Sequence, residues 1–201
     1  MIIESVEQIK DKKDSFAVTF DDGTELRVSA AQIADFAVHS GRVLSDDEYM
    51  ELRESLSLSS AKARALRILG SRMLSAREIE KRLRSKGESA ETAQLTVKWL
   101  EEIGAINDED HANSIVNYYA GKGYGKARIR DELFKRGIDR EIWEDAMSCI
   151  DDNGDAAFEF ISKKLAGSRD KDDLRRATDT LCRRGFSYDE ARTAINRYLD
   201  E

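Results

Sequence analysis

The chain has 201 residues with no proline, 36% charged and 40% hydrophobic residues, and a formal net charge of −7. That hydrophobic share excludes wholesale disorder, and the missing proline removes the commonest helix breaker. The acidity argues against a general nucleic-acid coat. No apolar run approaches the roughly 20 residues of a membrane helix, and no basic-then-apolar leader opens the chain. The two cysteines, Cys149 and Cys182, suit a reducing compartment. A cytoplasmic protein with no membrane association is expected.

The first thirty residues predict β structure. Phe16, Val18 and Phe20 alternate with Ala17 and Thr19, Asp22-Gly23 offers a turn, and Leu26 and Val28 alternate on the way back. Residues 2–10 can add a third strand. An isolated hairpin is marginal in water, so helices over 30–38 and 46–57 are expected to cover its apolar face. Ser45 and Glu48 have the spacing of a capping box.

From about residue 60 the pattern is helical and repeats. Leu83-Arg84-Ser85-Lys86-Gly87 matches Leu133-Phe134-Lys135-Arg136-Gly137 and Leu181-Cys182-Arg183-Arg184-Gly185, with the glycines 50 and 48 residues apart. One helical turn before each leucine stand Ile79, Ile129 and Ala177. After the glycines, Ala93, Trp143 and Ala191 share a register, as do Val97, Met147 and Ile195, and Leu100, Ile150 and Tyr198. Each glycine suits the left-handed residue that ends a helix, after basic residues that favour the negative end of its dipole. Ser75 with Glu78, Ser187 with Glu190, and Asp139 mark the helix starts.

A further helix before each pair, near 60–70, 109–121 and 154–166, completes a three-helix unit. The expected fold is mainly α. It is a tandem array of three three-helix modules, elongated and curved, over 59–106, 107–151 and 152–201, preceded by a small β-hairpin or sheet extension with helices over 1–58.

Catalytic chemistry finds no constellation here, so no enzyme, metal or cofactor is expected. His39 and His111 are the only histidines, and each suits a surface or capping role. Cys149 and Cys182 fall on apolar stripes and predict small core residues. Trp99 and Trp143 also predict core. Gly121, Gly123 and Gly125 lack a preceding strand and a Walker pattern, and predict a flexible joint between helices. Asp151-Asp152-Asn153-Gly154-Asp155 lacks the ligand spacing of a calcium loop and predicts a lead into a helix.

The charge is segregated. Residues 1–59 carry a net −7, residues 60–136 a net +5 and residues 137–201 a net −5. The basic segment contains two clusters, Arg77, Lys81, Arg82, Arg84 and Lys86, then Lys122, Lys126, Arg128, Arg130, Lys135 and Arg136. They are the candidate partner- or DNA-binding residues, suited to phosphates or an acidic protein surface.

These stretches resemble the RecX family, bacterial regulators of the recombinase RecA. The resemblance rests on Asp108-Glu109-Asp110-His111-Ala112, on Gly123-Tyr124-Gly125-Lys126-Ala127-Arg128-Ile129, and on Glu132-Leu133 with Lys135-Arg136-Gly137-Ile138. Ser75-Ala76-Arg77-Glu78 and Leu83-Arg84-Ser85-Lys86-Gly87 add to it, and it covers about residues 60–200. Relatives often have proline where Lys126 stands. The resemblance implies a non-enzymatic modulator whose partners are RecA and the RecA–DNA filament, and a monomer is expected. It would inhibit filament extension, ATP hydrolysis, strand exchange and co-protease activity. The alternative from another class is a module that binds single-stranded DNA directly, independently of RecA.

Overall fold

In the computed structural model, which describes residues 1–10, 13–70, 72–148, 150 and 154–200, the alternating stretches become strands. They are β1 (Ile3–Gln8), β2 (Ser15–Phe20) and β3 (Glu25–Ser29), antiparallel in the order β1-β2-β3. Val18 faces Val6 on one side and Leu26 on the other, and Phe16 faces Val28, which gathers the apolar side chains on one face. The turn uses Gly23 alone in the left-handed region (φ 82). The Asp22 carboxylate accepts from the Thr24 backbone N and Oγ1, both at 2.8 Å.

Two helices cover this sheet. Ser29 and Gln32 form a capping box on the short α1 (Ala30–Asp35), and Ser45 and Glu48 form the expected one on α2 (Asp46–Leu69). α2 is one helix of 24 residues, where separate helices over 46–57 and 60–70 were expected. The intervening serines are poor helix formers, but each costs only a few tenths of a kcal/mol, and no Gly or Pro breaks the run. The buried Gln32 amide donates to Ser59 Oγ at 3.3 Å in this stretch and to Ser55 Oγ at 3.1 Å one turn earlier. The core beneath contains Ile3, Val18, Phe20, Val28, Val38, Leu44 and Leu52.

Beyond α2 follow α3 (Ala76–Ser85), α4 (Ala90–Glu102), α5 (Asp108–Gly121), α6 (Lys126–Lys135), α7 (Arg140–Met147), α8 (Gly154–Leu165), α9 (Lys171–Arg183) and α10 (Tyr188–Asp200). The protein is therefore mainly α with a small N-terminal sheet. The described residues divide into two compact units, Met1–Gly70 with Leu83–Thr96, and Ser71–Arg82 with Val97–Glu201.

The repeated leucine–glycine segments end three helices in one geometry. The N–H two positions past each helix cap returns to the leucine carbonyl: Glu88 to Leu83, Ile138 to Leu133 and Phe186 to Leu181. Gly87, Gly137 and Gly185 have φ of 93°, 69° and 92°. This is the Schellman arrangement, and it satisfies carbonyls that the helix leaves orphaned. A second repetition lies in the helices before them. Ala61, Ala65 and Leu69 of α2, Ala112 and Val116 of α5, and Ala157, Ile161 and Leu165 of α8 recur every four residues and are buried. Small residues at these positions let neighbouring helices approach closely.

In the second unit one core gathers Ile115, Val116, Ile129, Leu133, Ile138, Ala146 and Met147. Another gathers Ile161, Leu165, Leu181, Phe186, Ala194 and Ile195. The capping pairs Ser75–Glu78 and Ser187–Glu190 form in both directions, and Asp139 caps α7. Cys182, expected in the core, is exposed. Leu181 takes the inward position, and the next residue is turned about 100° round the helix. Cys149 and the Asp151-Asp152-Asn153 run lie outside the described residues.

Candidate partner-binding surface

The two basic clusters sit mainly on α3 and α6, but they are not superimposable. In the repeat register, the places held by Arg77, Lys81, Arg82 and Arg84 in the first copy hold Ala127, Asp131, Glu132 and Phe134 in the second. Only Lys86 and Arg136 coincide. Excess charge recurs, but its positions do not.

Each cluster has its own local environment. Within the second unit, Arg77, Lys81 and Arg82 are exposed on α3. Arg77 also packs beside Gly137, where a Cβ would come within 2.9 Å of its Cδ. In the first unit Arg84 and Lys86 are exposed, and the Lys86 carbonyl accepts from Arg64 Nη1 at 3.3 Å. On α6 three cations are tied to acids: Arg128 to Glu132 at 2.9 Å, Lys135 to Glu132 at 3.0 Å, and Arg130 to Glu144 at 3.5 Å. Burial works against the charge on Glu132. Hydrogen bonds from Lys135 and Tyr119 and the charges of Lys135 and Arg128 outweigh it and hold the carboxyl below its usual range. Lys122 lies over the Tyr118 ring, 4.1 Å from its centroid, and hydrogen-bonds the Tyr118 hydroxyl, which raises its pKa. Lys126, at the first position of α6, is half-buried.

The glycine segment before α6 is not the flexible joint expected from its sequence. Gly125 is buried, and its N–H donates to the Arg184 carbonyl at 2.9 Å; Ala127 N donates to the Gly185 carbonyl at 3.1 Å. The C-terminal end of α9 thus supplies carbonyls to the N-terminal end of α6, where orphan N–H groups await them. Those carbonyls also offset the unfavourable placement of Lys126 and Arg128 at the positive end of the α6 dipole. The approach is close enough that a Cβ on Gly125 would stand 2.2 Å from the Gly185 carbonyl oxygen.

The Arg184 side chain locks the same junction. Its Nε and Nη2 donate to the carbonyls of Gly123 at 3.1 Å and Lys122 at 2.6 Å, and its guanidinium lies 4.4 Å from the Tyr124 ring and 4.9 Å from that of Phe160. A related junction joins α3 and α6. Ser75, at the place equivalent to Gly125, donates its hydroxyl to the Arg136 carbonyl, at the place equivalent to Arg184. Asp108 of α5 reinforces it by accepting from Ala76 N at 3.0 Å.

His111, expected at the surface or as a cap, is buried at 4% exposure, and its Nδ1 has no hydrogen-bond partner among the described residues. It falls on the inner face of α5 beside Ala112, where the helix turns it into the junction. Burial and the nearby Arg136 push its pKa down, against weaker pulls from Glu78 and Asp108. Burial also raises the Asp108 carboxyl, with the Ala76 N–H opposing. The two groups act in opposite directions. The neutral-histidine contribution to stability is present above the unfolded pKa of about 6.5 and is lost as pH falls below it through the depressed folded value. The protonated-Asp108 contribution is present below about 3.9, its unfolded pKa, and is lost as pH rises through the raised folded value. As pH falls from about 7 to 5 the histidine lowers the urea midpoint and Asp108 opposes it, so His111→Gln should shift that slope towards greater stability at the acid end. An unchanged slope in the variant would remove His111 as its source.

Among the described residues, no group of three or more His, Cys, Asp or Glu is placed to hold a metal ion, and no helix is long and apolar enough to cross a membrane. Two family models match the chain: "RecX, second three-helix domain" over residues 107–147 and "RecX, first three-helix domain" over residues 61–100. The Pseudomonas putida protein named "Regulatory protein RecX" is 34% identical over 128 residues, covering 62% of this chain and 82% of the relative. The chain belongs to the RecX family. The Finegoldia magna RecX is 27% identical over 206 residues, 98% of this chain and 100% of its own. A crystal structure of regulatory protein RecX shares the fold, with TM-score 0.77 at 20% identity, covering 97% of this chain and 98% of the other. The RecX structure from Lactobacillus salivarius has TM-score 0.64 at 25% identity, covering 70% of this chain and 96% of the other. RecX relatives thus match both the repeats and the N-terminal extension of this chain.

Sequence reading missed Arg184, Tyr118 and Tyr119 as residues of interest. A signal was present for the first. Arg184 occupies the last position before a repeat glycine, shared with Lys86 and Arg136, and a cation recurring there can do more than complement a dipole.

Proposed function

We propose that this RecX-family chain is a negative regulator of RecA. It binds RecA or its nucleoprotein filament in the cytoplasm and inhibits filament extension, ATP hydrolysis, strand exchange and co-protease activity. Family membership carries this reading, supported by relatives that bear the name "Regulatory protein RecX", one of which aligns over 98% of this chain and 100% of its own length. The reading involves no catalysis by the chain itself. Lys81 and Arg77 on α3 and Lys126 on α6 stand outside the ion pairs that hold Arg128, Arg130 and Lys135. Their charge is therefore available to an acidic RecA surface or to filament DNA phosphates.

The test is DNA-dependent ATP hydrolysis by RecA, measured with substoichiometric protein. Suppression of hydrolysis and shorter filaments are expected. Full hydrolysis and normal filament length in the presence of folded protein would overturn the reading. Lys81→Glu with Lys126→Glu is expected to weaken inhibition several-fold while the far-ultraviolet circular dichroism stays unchanged. Both charges lie outside the ion pairs of the described residues, and an acid at the first turn of α6 suits its dipole. Undiminished inhibition by that variant would remove these lysines from the contact.

A further inference from the structure

The two junctions of the second unit are related, but their surroundings are filled differently. At the junction of α6 with α9, Arg184 is stacked between Tyr124 and Phe160. At the junction of α3 with α6, the equivalent arginine is Arg136. Leu74 stands at the place of Tyr124 in the leucine–glycine register, and Ile115 at the place of Phe160 in the register of the buried small residues. Aliphatic side chains have replaced both rings. A cavity of about 350 Å³ opens there, lined by Met73, His111, Ser114, Ile115, Tyr118, Tyr119 and Arg136.

The lining indicates a ligand chemistry. Its one charged residue among those described is Arg136, and none of them is an acid. Tyr118 is 54% exposed at the rim, meets Tyr119 edge to face at 5.2 Å, and has the Lys122 ammonium over one face of its ring at 4.1 Å from the centroid. Lys122 stands one helical turn on from Tyr118. His111 brings an imidazole with an unpartnered nitrogen, and Ser114 a hydroxyl, beside flat apolar surface. A flat aromatic ring carrying hydrogen-bonding edges and attached to an anion matches this set. Within the same chain, Arg184 shows that an arginine at this place accepts aromatic rings on its guanidinium.

We propose that this cavity receives an unstacked base of single-stranded DNA, stacked by Tyr118 and Arg136, with Lys122 meeting the adjoining phosphate. Stacking on an aromatic ring and on a guanidinium tolerates any base, so little sequence preference follows. In a duplex each base is already stacked on both sides and paired, so it cannot enter. The cavity therefore discriminates single strands from duplex, which charge alone does poorly. The inference does not depend on RecA being the regulated partner.

Fluorescence anisotropy at low salt tests it with labelled oligothymidylate and a labelled duplex. Tyr118→Ala is expected to weaken oligothymidylate binding on the order of tenfold and to leave duplex binding within about twofold. Tyr118→Phe, which keeps the ring, should bind like the parent. A strand containing iododeoxyuridine should photocrosslink to Tyr118, Tyr119 or His111. The proposal is overturned if the parent chain fails to bind oligothymidylate, if Tyr118→Ala weakens single strand and duplex equally, or if crosslinks map only elsewhere. Tyr118 is exposed, so its substitution should leave the fold intact, as circular dichroism would verify. RecA ATPase suppression is read separately and can fail or succeed without altering these outcomes.

Discussion

Gly185→Ala is expected to destabilise the chain by about 3 kcal/mol, while Gly87→Ala, at the equivalent place in the first repeat, should cost only about 1 kcal/mol. Both glycines hold nearly the same left-handed backbone, with φ of 92° and 93°. The conformational penalty of a Cβ is therefore common to both. The difference lies in what the Cβ would meet. At Gly87 nothing lies within 4 Å, whereas at Gly185 the Arg128 backbone N lies at 2.3 Å and its Cβ at 2.6 Å. Backbone cannot swing aside as a side chain can, so α9 must withdraw from α6. Gly125→Ala tests the other side of the contact. Its φ is −77°, an ordinary value, so any cost there comes from the 2.2 Å approach to the Gly185 carbonyl oxygen. Urea unfolding of the three variants separates the two causes. Equal losses at Gly87 and Gly185 would show that backbone conformation alone decides.

Arg184→Ala is expected to cost about 3 kcal/mol, because it removes two charge-assisted hydrogen bonds to carbonyls together with the stacking of the guanidinium on two rings. Arg184→Lys should recover less than half of this. An ammonium cannot donate to the Lys122 and Gly123 carbonyls in the forked geometry and stack between Tyr124 and Phe160 at once. Arg136→Ala should cost less than about 1 kcal/mol, because aliphatic Leu74 and Ile115 stand where Arg184 has its rings. Thermal or urea unfolding decides the order. A larger loss for Arg136→Ala would mean that the first junction depends on its arginine side chain as well.

The mainly helical fold was readable because its signals are local. Alternation in Phe16, Val18 and Phe20 specifies a strand face, and Ser75–Glu78 and Ser187–Glu190 mark helix starts through bonds spanning three residues. The left-handed glycines follow from the same short-range geometry. Where reading failed, a contact between distant residues decided. Helices over 46–57 and 60–70 were expected to be separate, whereas Gln32 of another helix pairs Ser55 and Ser59 where α2 runs on. Gly125 resembled a joint because the carbonyls that fill its surroundings come from Arg184 and Gly185, about sixty residues on. His111 is buried for a similar reason, since its burial belongs to the junction rather than to the polar residues beside it in sequence.

The candidate surface was legible only as composition. A charge count finds the excess of lysine and arginine between residues 60 and 136, but it cannot tell which cations already have partners. Glu132 binds two of them, Arg128 and Lys135. The tyrosines near the end of α5 carried no charge to flag them. Their importance comes from the cavity that they line with Ile115 and Arg136.

The amino-acid sequence by itself determined that this chain builds a small sheet and then repeats a helical unit ended by glycine, because hydrophobic period and capping act over a few residues. Tertiary structure alone decided how the ends of α9 and α6 meet, which arginine becomes a clamp and where the same junction stays open. Those outcomes depend on backbone approach and ring stacking between residues far apart in the chain, which no local pattern encodes.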